Sequence, residues 1–221
     1  VELPSELLAS LDDHPGGLGR RWVADLPDRI AAAEQRWSIV IGEPFQPGGV
    51  TSWVAPATLA DGAVAVYKIT VPHDEAVGED AALAAYGGDG AVRLLASVPD
   101  DFELLLERAQ PGHDLWTVPD DGARLDIAAE LMRRLWRPVT AETVRSVGST
   151  ARAWADTTER RLVTSEVPWV TGPIERGIDL LRSLPRDASE RTLVHGDFHP
   201  GNILAAEREP WLSMAADAIA K

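Results

Sequence analysis

The chain has 221 residues, of which 45% are hydrophobic and 25% charged, a composition typical of a globular protein with a sizeable core. Its formal net charge of -14 argues against binding a nucleic-acid backbone and is compatible with a cationic small molecule as partner. The chain contains no cysteine, no apolar stretch approaches the roughly 20 residues that cross a bilayer, and its first residues lack a secretion signal, so we expect a cytoplasmic protein without disulfides or thiolate metal sites.

The first part of the chain predicts two helices and then three strands. The helices span 5–12 and 19–37, and Pro27 is expected to break or kink the second. The strands are "WSIVIGEPF", "TSWVAPATL" and "AVAVYKITV". In the third strand, alternation places Lys68 on the face opposite that of Tyr67.

A further helix and two strands follow. The helix is predicted from Asp74 to Tyr86, where Gly87 and Gly88 end it, and the strands are "AVRLLASV" and "FELLLERA", joined by the turn-forming "PDD". Three strands, a helix and two strands predict an α+β fold with a small mixed or antiparallel sheet.

The pattern changes to helical after Gly112. Leu125, Ala128, Met132 and Leu135 recur at helical spacing, and further helices are predicted over 140–162 and 173–184. The segment "ERAQPG" is a natural crossing between the two patterns. We therefore predict two lobes, a sheet-rich lobe over 1–109 and a helical lobe over 110–221.

The segment "LVHGDFHPGNIL" (193–204) has three interpretations. His195, Asp197 and His199 alternate as metal ligands on an extended strand would. The segment could instead be a polar turn whose Asp and Asn bond to nearby backbone groups. Thirdly, Asp197 and Asn202 have the spacing at which protein kinases place a catalytic aspartate and a magnesium-binding asparagine. In that case His195 and His199 would support the loop.

The kinase interpretation requires parts elsewhere in the chain. A lysine on a strand of the first lobe should bind the phosphates, and "VAVYK" supplies Lys68, the only lysine apart from the terminal Lys221. An ammonium on an apolar strand needs a carboxylate partner from the following helix, for which Glu79 is the first choice and Glu75 the alternative.

Two more segments complete the nucleotide site of this interpretation. Gly48 and Gly49 lie between the first two strands, where a loop should cover the phosphates, although Pro-Gly-Gly also marks ordinary hairpins. The backbone from Glu107 to Ala109 should pair with the adenine edge as a hinge. Ordinary strand-to-linker geometry explains this segment equally well.

In this order, "AVAVYK", "LLLERAQPG" and "HGDFHPGN" resemble the motifs of the aminoglycoside phosphotransferases, bacterial antibiotic kinases with a protein-kinase-like fold. Within that group the chain resembles the streptomycin 6-phosphotransferase or hydroxyurea phosphotransferase branch. The resemblance implies ATP, Mg²⁺ and O-phosphorylation of a streptomycin-like hydroxyl, an antibiotic-resistance activity. It assigns Asp197 as catalytic base, Asn202 as magnesium ligand, Lys68 as phosphate-binding lysine and Glu79 as its partner.

The chain departs from the family pattern after "REPWL". The resemblance places a second magnesium-binding aspartate at the position of Ala215, and Asp217 is two places late. A truncated chain, a stretch omitted between Leu212 and Ser213, and a nucleotide-binding relic with another role each explain this departure. The alternative to a kinase is therefore a pseudokinase-like binding protein.

The acceptor of the kinase would lie over Asp197. Acidic residues of the helical lobe are candidates for attracting a cationic sugar or guanidino group, although such residues also serve as helix caps and solvated surface. They are Asp114, Asp120, Asp121 and Asp126.

Overall fold

The computed structural model describes residues 1–11, 18–138, 145–164, 171–184, 192–214 and the backbone of 219–220. The helices are α1 (Ser5–Ser10), α2 (Leu18–Trp37), α3 (Glu79–Tyr86), α4 (Asp121–Leu135), α5 (Val147–Thr164) and α6 (Thr171–Ser183). The strands are β1 (Ile39–Ile41), β2 (Ser52–Leu59), β3 (Val64–Thr70), β4 (Leu94–Val98), β5 (Glu103–Glu107), β6 (Pro111–Asp114), β7 (Arg137–Pro138), β8 (Arg145–Ser146), β9 (Thr192–Val194), β10 (Ile203–Ala206), β11 (Trp211–Ser213) and β12 (Ile219–Ala220).

The first half of the chain forms a five-stranded sheet in the order β1-β2-β3-β5-β4. All its neighbouring strands are antiparallel, and α3 lies between β3 and β5 in the chain. The predicted sequence of three strands, a helix and two strands is therefore confirmed. The predicted helix from Asp74 is divided, because a 3-10 turn at Asp74–Ala76 precedes Gly78, whose φ of 89° interrupts helical geometry.

One face of this sheet is covered by the first two helices. Trp22 and Leu26 of α2 pack in one buried cluster with Tyr67 and Ile69 of β3. The sequence predicts that Pro27 breaks or kinks this helix, and a break is wrong, because α2 continues through Pro27 from Leu18 to Trp37. Its buried apolar face holds the helix in place where local propensity alone would end it.

The other face of the sheet shares its core with the second half of the chain. Leu104 and Leu106 of β5 pack in one cluster with Leu131 of α4, Leu193 of β9 and Leu212 of β11. Val66 packs against the same cluster. Because strand residues alternate between faces, Lys68 belongs to the face that looks toward the second half.

In the described part of the second half there are two smaller sheets and the three helices α4, α5 and α6. The sheets have the orders β11-β10-β6 and β7-β9-β12-β8. Of the predicted apolar positions of α4, Leu135 is buried, but Leu125 is 71% exposed because the face that packs on the core runs through Ile127, Ala128 and Leu131. The start of the helix predicted over 140–162 falls outside the described residues, and α5 begins at Val147.

Among the described helices, none combines the length and the apolar character that crossing a membrane requires. The lobe division at 109 and 110 stays a prediction. Strand β6 begins one residue after it and pairs with β10 of the second half.

Candidate active site

The "HGDFHPGN" loop is anchored at both ends by fully buried apolar residues. Leu193 of β9 and Ile203 of β10 each have 0% exposure, whereas Asp197 and Asn202 between them remain accessible. Gly196 has a φ of 84°, a backbone conformation that a side chain disfavours. The two strands thus hold a short polar loop with little freedom at its ends.

Asp197 and Asn202 are joined directly. The Asn202 Nδ2 donates to the carbonyl oxygen and to Oδ2 of Asp197, both at 2.9 Å. Because the amide nitrogen faces Asp197, the Asn202 Oδ1 is left as the oxygen that can hold a hard cation such as Mg²⁺. The Asp197 side chain is 56% exposed and therefore accessible to an acceptor.

His195 supports the loop from the interior. It is 6% exposed, its Nε2 donates to the carbonyl of Met214 at 2.8 Å, and its ring meets Phe198 edge-on at 5.4 Å. Burial lowers the pKa of His195 despite the opposing effects of the Met214 carbonyl and the Asp197 carboxylate, so the imidazole is held neutral. Its Nδ1 is buried and has no partner among the described residues.

His199 makes its contacts within the loop. Its Nδ1 accepts from the amide of Gly201 at 3.1 Å, and its Nε2 lies 3.5 Å from Asp197 Oδ2. His195 points elsewhere, toward Met214. Within the described ranges no three His, Cys, Asp or Glu side chains are grouped as metal ligands, so nothing there supports the interpretation as a metal-hydrolase centre.

Lys68 and Glu79 form an ion pair between β3 and α3. The side chains are 17% and 8% exposed, so the pair is largely removed from water. Glu75 takes no part in it, and its carboxylate accepts from Trp154 Nε1 of α5 at 3.2 Å. Of the two carboxylates considered from the sequence, the structure brings Glu79 to the lysine.

Glu79 also acts electrostatically on a residue of the "HGDFHPGN" loop. The charge of Glu79 is one of the smaller effects on the pKa of His195, which it raises. Coulombic interactions weaken with distance, and this contribution is consistent with a Glu79 carboxylate on the side of the sheet that faces the second half. That Lys68 and Asp197 belong to one site stays a prediction.

The glycine loop is tied to the first residues of the chain. A Cβ on Gly48, whose φ is 78°, would lie 2.3 Å from Cβ of Pro4, so close packing against the N-terminal segment requires this glycine. The amide of Glu6 donates to the Pro47 carbonyl at 3.2 Å. A Cβ on Gly49 would have no neighbour within 4 Å, so of the two glycines Gly49 retains space for a phosphate to approach.

The hinge segment contains a contact that the sequence did not indicate. The side chain of Glu107 binds Arg208, a residue of the turn between β10 and β11. The prediction for Glu107 and Ala109 concerned their backbone groups, and it stays a prediction. After Ala109 the chain turns sharply, since a Cβ on Gly112 would lie 2.8 Å from the Ala109 carbonyl oxygen.

The strand β11 leads back to the "HGDFHPGN" loop. It runs without interruption through Leu212 and Ser213, which pair with Leu204 and Ile203, and the amide of Met214 donates to the Asn202 carbonyl at 2.8 Å. The position expected for the second metal carboxylate follows directly. It is an alanine in the sequence, and Ala215 and Asp217 both lie outside the described residues.

Two of the four acidic candidates have structural partners. Asp120 caps α4 by accepting from the amide of Ala123 at 2.7 Å, and Asp121 pairs with Arg124. Asp114 ends β6 opposite Leu204. Asp126 is exposed on α4.

Trp116 is a candidate that sequence reasoning missed. Its indole is 58% exposed, and its Nε1 is 3.7 Å from the position of a Cβ on Gly201, beside Asn202. An exposed tryptophan beside a polar loop is a signal that only the fold reveals.

A protein-family model described as aminoglycoside/hydroxyurea antibiotic resistance kinase matches residues 36–220. The chain belongs to this family. The resemblance to the aminoglycoside phosphotransferases, and to their streptomycin and hydroxyurea branch, is thereby confirmed.

Two curated relatives support this family membership. The chain is 35% identical to the hydroxyurea phosphotransferase of Kitasatospora aureofaciens over 97% of its own length, and it spans 63% of that protein. It is 32% identical to the streptomycin 6-kinase of Streptomyces glaucescens over 100% of its length, and it spans 71% of that kinase. The chain is thus about two thirds as long as these relatives.

Solved structures confirm the kinase-like α+β fold. A choline/ethanolamine kinase family protein from Mesorhizobium loti matches 90% of the chain, over 66% of its own length, with a TM-score of 0.62 at 16% identity. The LicA structure in complex with AMP matches 87% of the chain, over 70% of its own length, with a TM-score of 0.57 at 10% identity.

Proposed function

We propose that the protein transfers the γ-phosphoryl group of ATP to a hydroxyl of a small cationic molecule, with a streptomycin-like aminoglycoside as first candidate. The observation that carries this proposal is the direct bond between Asn202 and Asp197 in one loop, together with the ion pair that Glu79 makes with Lys68. Membership of a family of antibiotic resistance kinases supports it.

Each residue has a defined task in this reaction. The Asp197 carboxylate orients the acceptor hydroxyl and takes its proton as the new oxygen–phosphorus bond forms. Lys68, positioned by Glu79, contacts the phosphates, and the backbone from Glu107 to Ala109 pairs with the adenine edge. Magnesium would be held by Asn202 Oδ1 and the phosphates, and when bound it supplies charge that neutralises the phosphate oxygens.

The set of metal ligands is smaller than in the family pattern. Asn202 supplies one amide oxygen, and the position after Met214 carries Ala215 instead of a carboxylate. Mg²⁺ commonly keeps several waters and substrate oxygens, so Asn202 fits as its protein ligand. Losing a carboxylate that neutralises developing charge should lower the rate by orders of magnitude.

Ala215 favours a second candidate function. A protein that binds ATP through Lys68 and the hinge without turnover would need no second carboxylate. Nucleotide binding that is independent of magnesium would distinguish this pseudokinase-like function from catalysis.

The choice of acceptor rests on the net charge of the chain and on the names of its relatives. The formal charge of -14 favours cationic molecules over anionic polymers. Two relatives are named for streptomycin and hydroxyurea, and of these only streptomycin is strongly cationic. Among the acidic candidates, Asp114 lies on the strand next to the catalytic hairpin. A cytoplasmic location is part of the proposal.

The test is ADP release over a panel of streptomycin, other aminoglycosides and hydroxyurea, with thermal shift by ATP measured with and without magnesium. We expect streptomycin-dependent ADP release and stabilisation by ATP that increases with magnesium. Stabilisation that ignores magnesium, together with no release for any acceptor, would establish the binding protein instead. Absence of both would reject the proposal.

A further inference from the structure

Arg208 lies in the turn between β10 and β11 and uses all its donors. The guanidinium has five N–H groups. They bond to both carboxylate oxygens of Glu107, to the carbonyls of Gly88 and Ala91, and to Glu209, at 2.5–3.0 Å. The side chain is 22% exposed. A fully satisfied, half-buried guanidinium of this kind holds a fixed position, unlike most surface arginines.

Both carboxylate oxygens of Glu107 also accept hydrogen bonds. Its Oε1 accepts from Arg208 Nε at 2.8 Å, while its Oε2 accepts from Arg208 Nη2 and from the amide of Arg93, both at 2.9 Å. Burial alone would raise the pKa of Glu107, but these bonds outweigh it and the pKa is lowered. Glu107 is the last residue of β5 and the first of the hinge, so the carboxylate fixes the point at which the hinge begins.

The β10–β11 hairpin links Arg208 to the catalytic loop. Strand β10 has four residues, about 13 Å of extended chain, and begins directly after Asn202. At this same end of the hairpin, opposite the turn, the amide of Met214 donates to the Asn202 carbonyl at 2.8 Å. The turn that carries Arg208 and the loop that carries Asn202 are therefore opposite ends of one rigid element.

The turn is also fixed from the side of α4. Glu209 pairs with Arg134 at 2.6 Å, and Arg134 also binds Asp89 at 2.6 Å. If the hinge moved, Arg208 could move with it only by breaking the contact between Glu209 and Arg134.

We propose that Glu107 and Arg208, which we term the hinge pair, set the distance between the hinge and the catalytic loop and so position both ends of bound ATP. This inference rests on the proposed function and assigns a task to two side chains that touch no substrate. The adenine would pair with the hinge at one end of the hairpin, and the phosphates would meet Asn202 at the other. A misplacement of about 1 Å can cost roughly a hundredfold in a reaction that depends on orientation.

The test uses Arg208→Ala, Arg208→Lys and Glu107→Gln in the full chain, with Arg182→Ala as matched control. Arg182 makes three bonds of similar length to Asp156 and Glu159, but between α5 and α6. The first measurement is hydrogen exchange at 108–112 and 203–206 without nucleotide. The second is the Kd for ATP with magnesium by calorimetry, together with the KM for ATP and for streptomycin.

We expect all three hinge-pair variants to exchange about tenfold faster in both segments and to bind ATP roughly tenfold more weakly, with the KM for streptomycin almost unchanged. Arg208→Lys should not restore the parent's exchange rate or ATP affinity, because a compact ammonium cannot bind both oxygens of Glu107 as a guanidinium does. Arg182→Ala should change neither measurement.

Unchanged exchange in both segments would overturn the inference. Faster exchange with an unaltered Kd for ATP would also overturn it, because the pair would then contribute to stability alone. If the parent chain binds no ATP the proposed function fails, whereas the exchange measurement still decides whether the pair holds hinge and hairpin together.

Discussion

Removal of Glu79 should destabilise the protein because it leaves the ammonium of Lys68 without its partner. The two side chains are 8% and 17% exposed. Breaking a buried pair costs about 3–5 kcal/mol, and since Lys68 keeps partial contact with water we expect about 2–3 kcal/mol for Glu79→Gln. For a chain of this size the loss corresponds to a Tm lower by roughly 4–12 °C.

Thermal and urea unfolding, followed by circular dichroism, would measure this loss against Glu75→Gln as control. Glu75 accepts a hydrogen bond from an exposed tryptophan, so its variant should remain within about 0.5 kcal/mol of the parent. The double variant Lys68→Met with Glu79→Leu should recover most of the stability, because an apolar pair can replace a buried ion pair at little cost. It should lose the stabilisation by ATP, which is about 2.7 kcal/mol at a hundred times the Kd.

Two results would refute this reasoning. If Glu79→Gln and Glu75→Gln were equally stable, the ion pair would contribute nothing measurable. If the double variant lost as much stability as Lys68→Met and Glu79→Leu lose together when each is measured alone, Lys68 and Glu79 would not be coupled.

Three further predictions concern the second half of the site. Ala215→Asp, which restores a carboxylate where the family pattern has one, should raise the ADP-release rate at least about tenfold; an unchanged rate would show that position 215 does not serve the metal. Trp116→Ala should raise the KM for streptomycin several-fold and leave the KM for ATP unchanged. The control Trp136→Ala, at a tryptophan of similar exposure at the end of α4, should alter neither KM. Equal effects of the two variants would show that Trp116 is not part of the acceptor site. Because the folded-state pKa of His195 lies below its unfolded value of about 6.5, stability should be fully present above that pH and fall as the pH decreases through the folded-state pKa. His195→Gln, which keeps a donor for Met214 but cannot be protonated, should show a smaller loss in urea unfolding between about pH 7 and 5, and an identical pH profile would contradict this assignment.

The parts of the site that the sequence predicted are those whose chemistry is local. Asp197 and Asn202 lie five positions apart in one loop, so their spacing alone indicates a shared task. Lys68 is the only internal lysine and lies on an apolar strand, where an ammonium requires a partner. Strand alternation then places it on the face toward the second half.

Contacts between distant segments could not be predicted. Glu107 and Arg208 are 101 positions apart, and each residue by itself has the pattern of a solvated surface charge. The close approach of Pro4 to Gly48 likewise depends on how the N-terminal helices cover the sheet. Continuation of α2 through Pro27 results from tertiary packing, which local propensity does not report.

The most direct test of the proposed chemistry is transfer of a labelled γ-phosphate from ATP to streptomycin, measured for the parent chain and for Asp197→Asn side by side. We expect labelled streptomycin from the parent and a rate lower by at least about a hundredfold from the variant, because the amide cannot take the proton of the acceptor hydroxyl. Equal labelling by the two proteins would contradict the role of Asp197. Firm ATP binding without labelling of streptomycin or any other acceptor would contradict the transferase itself.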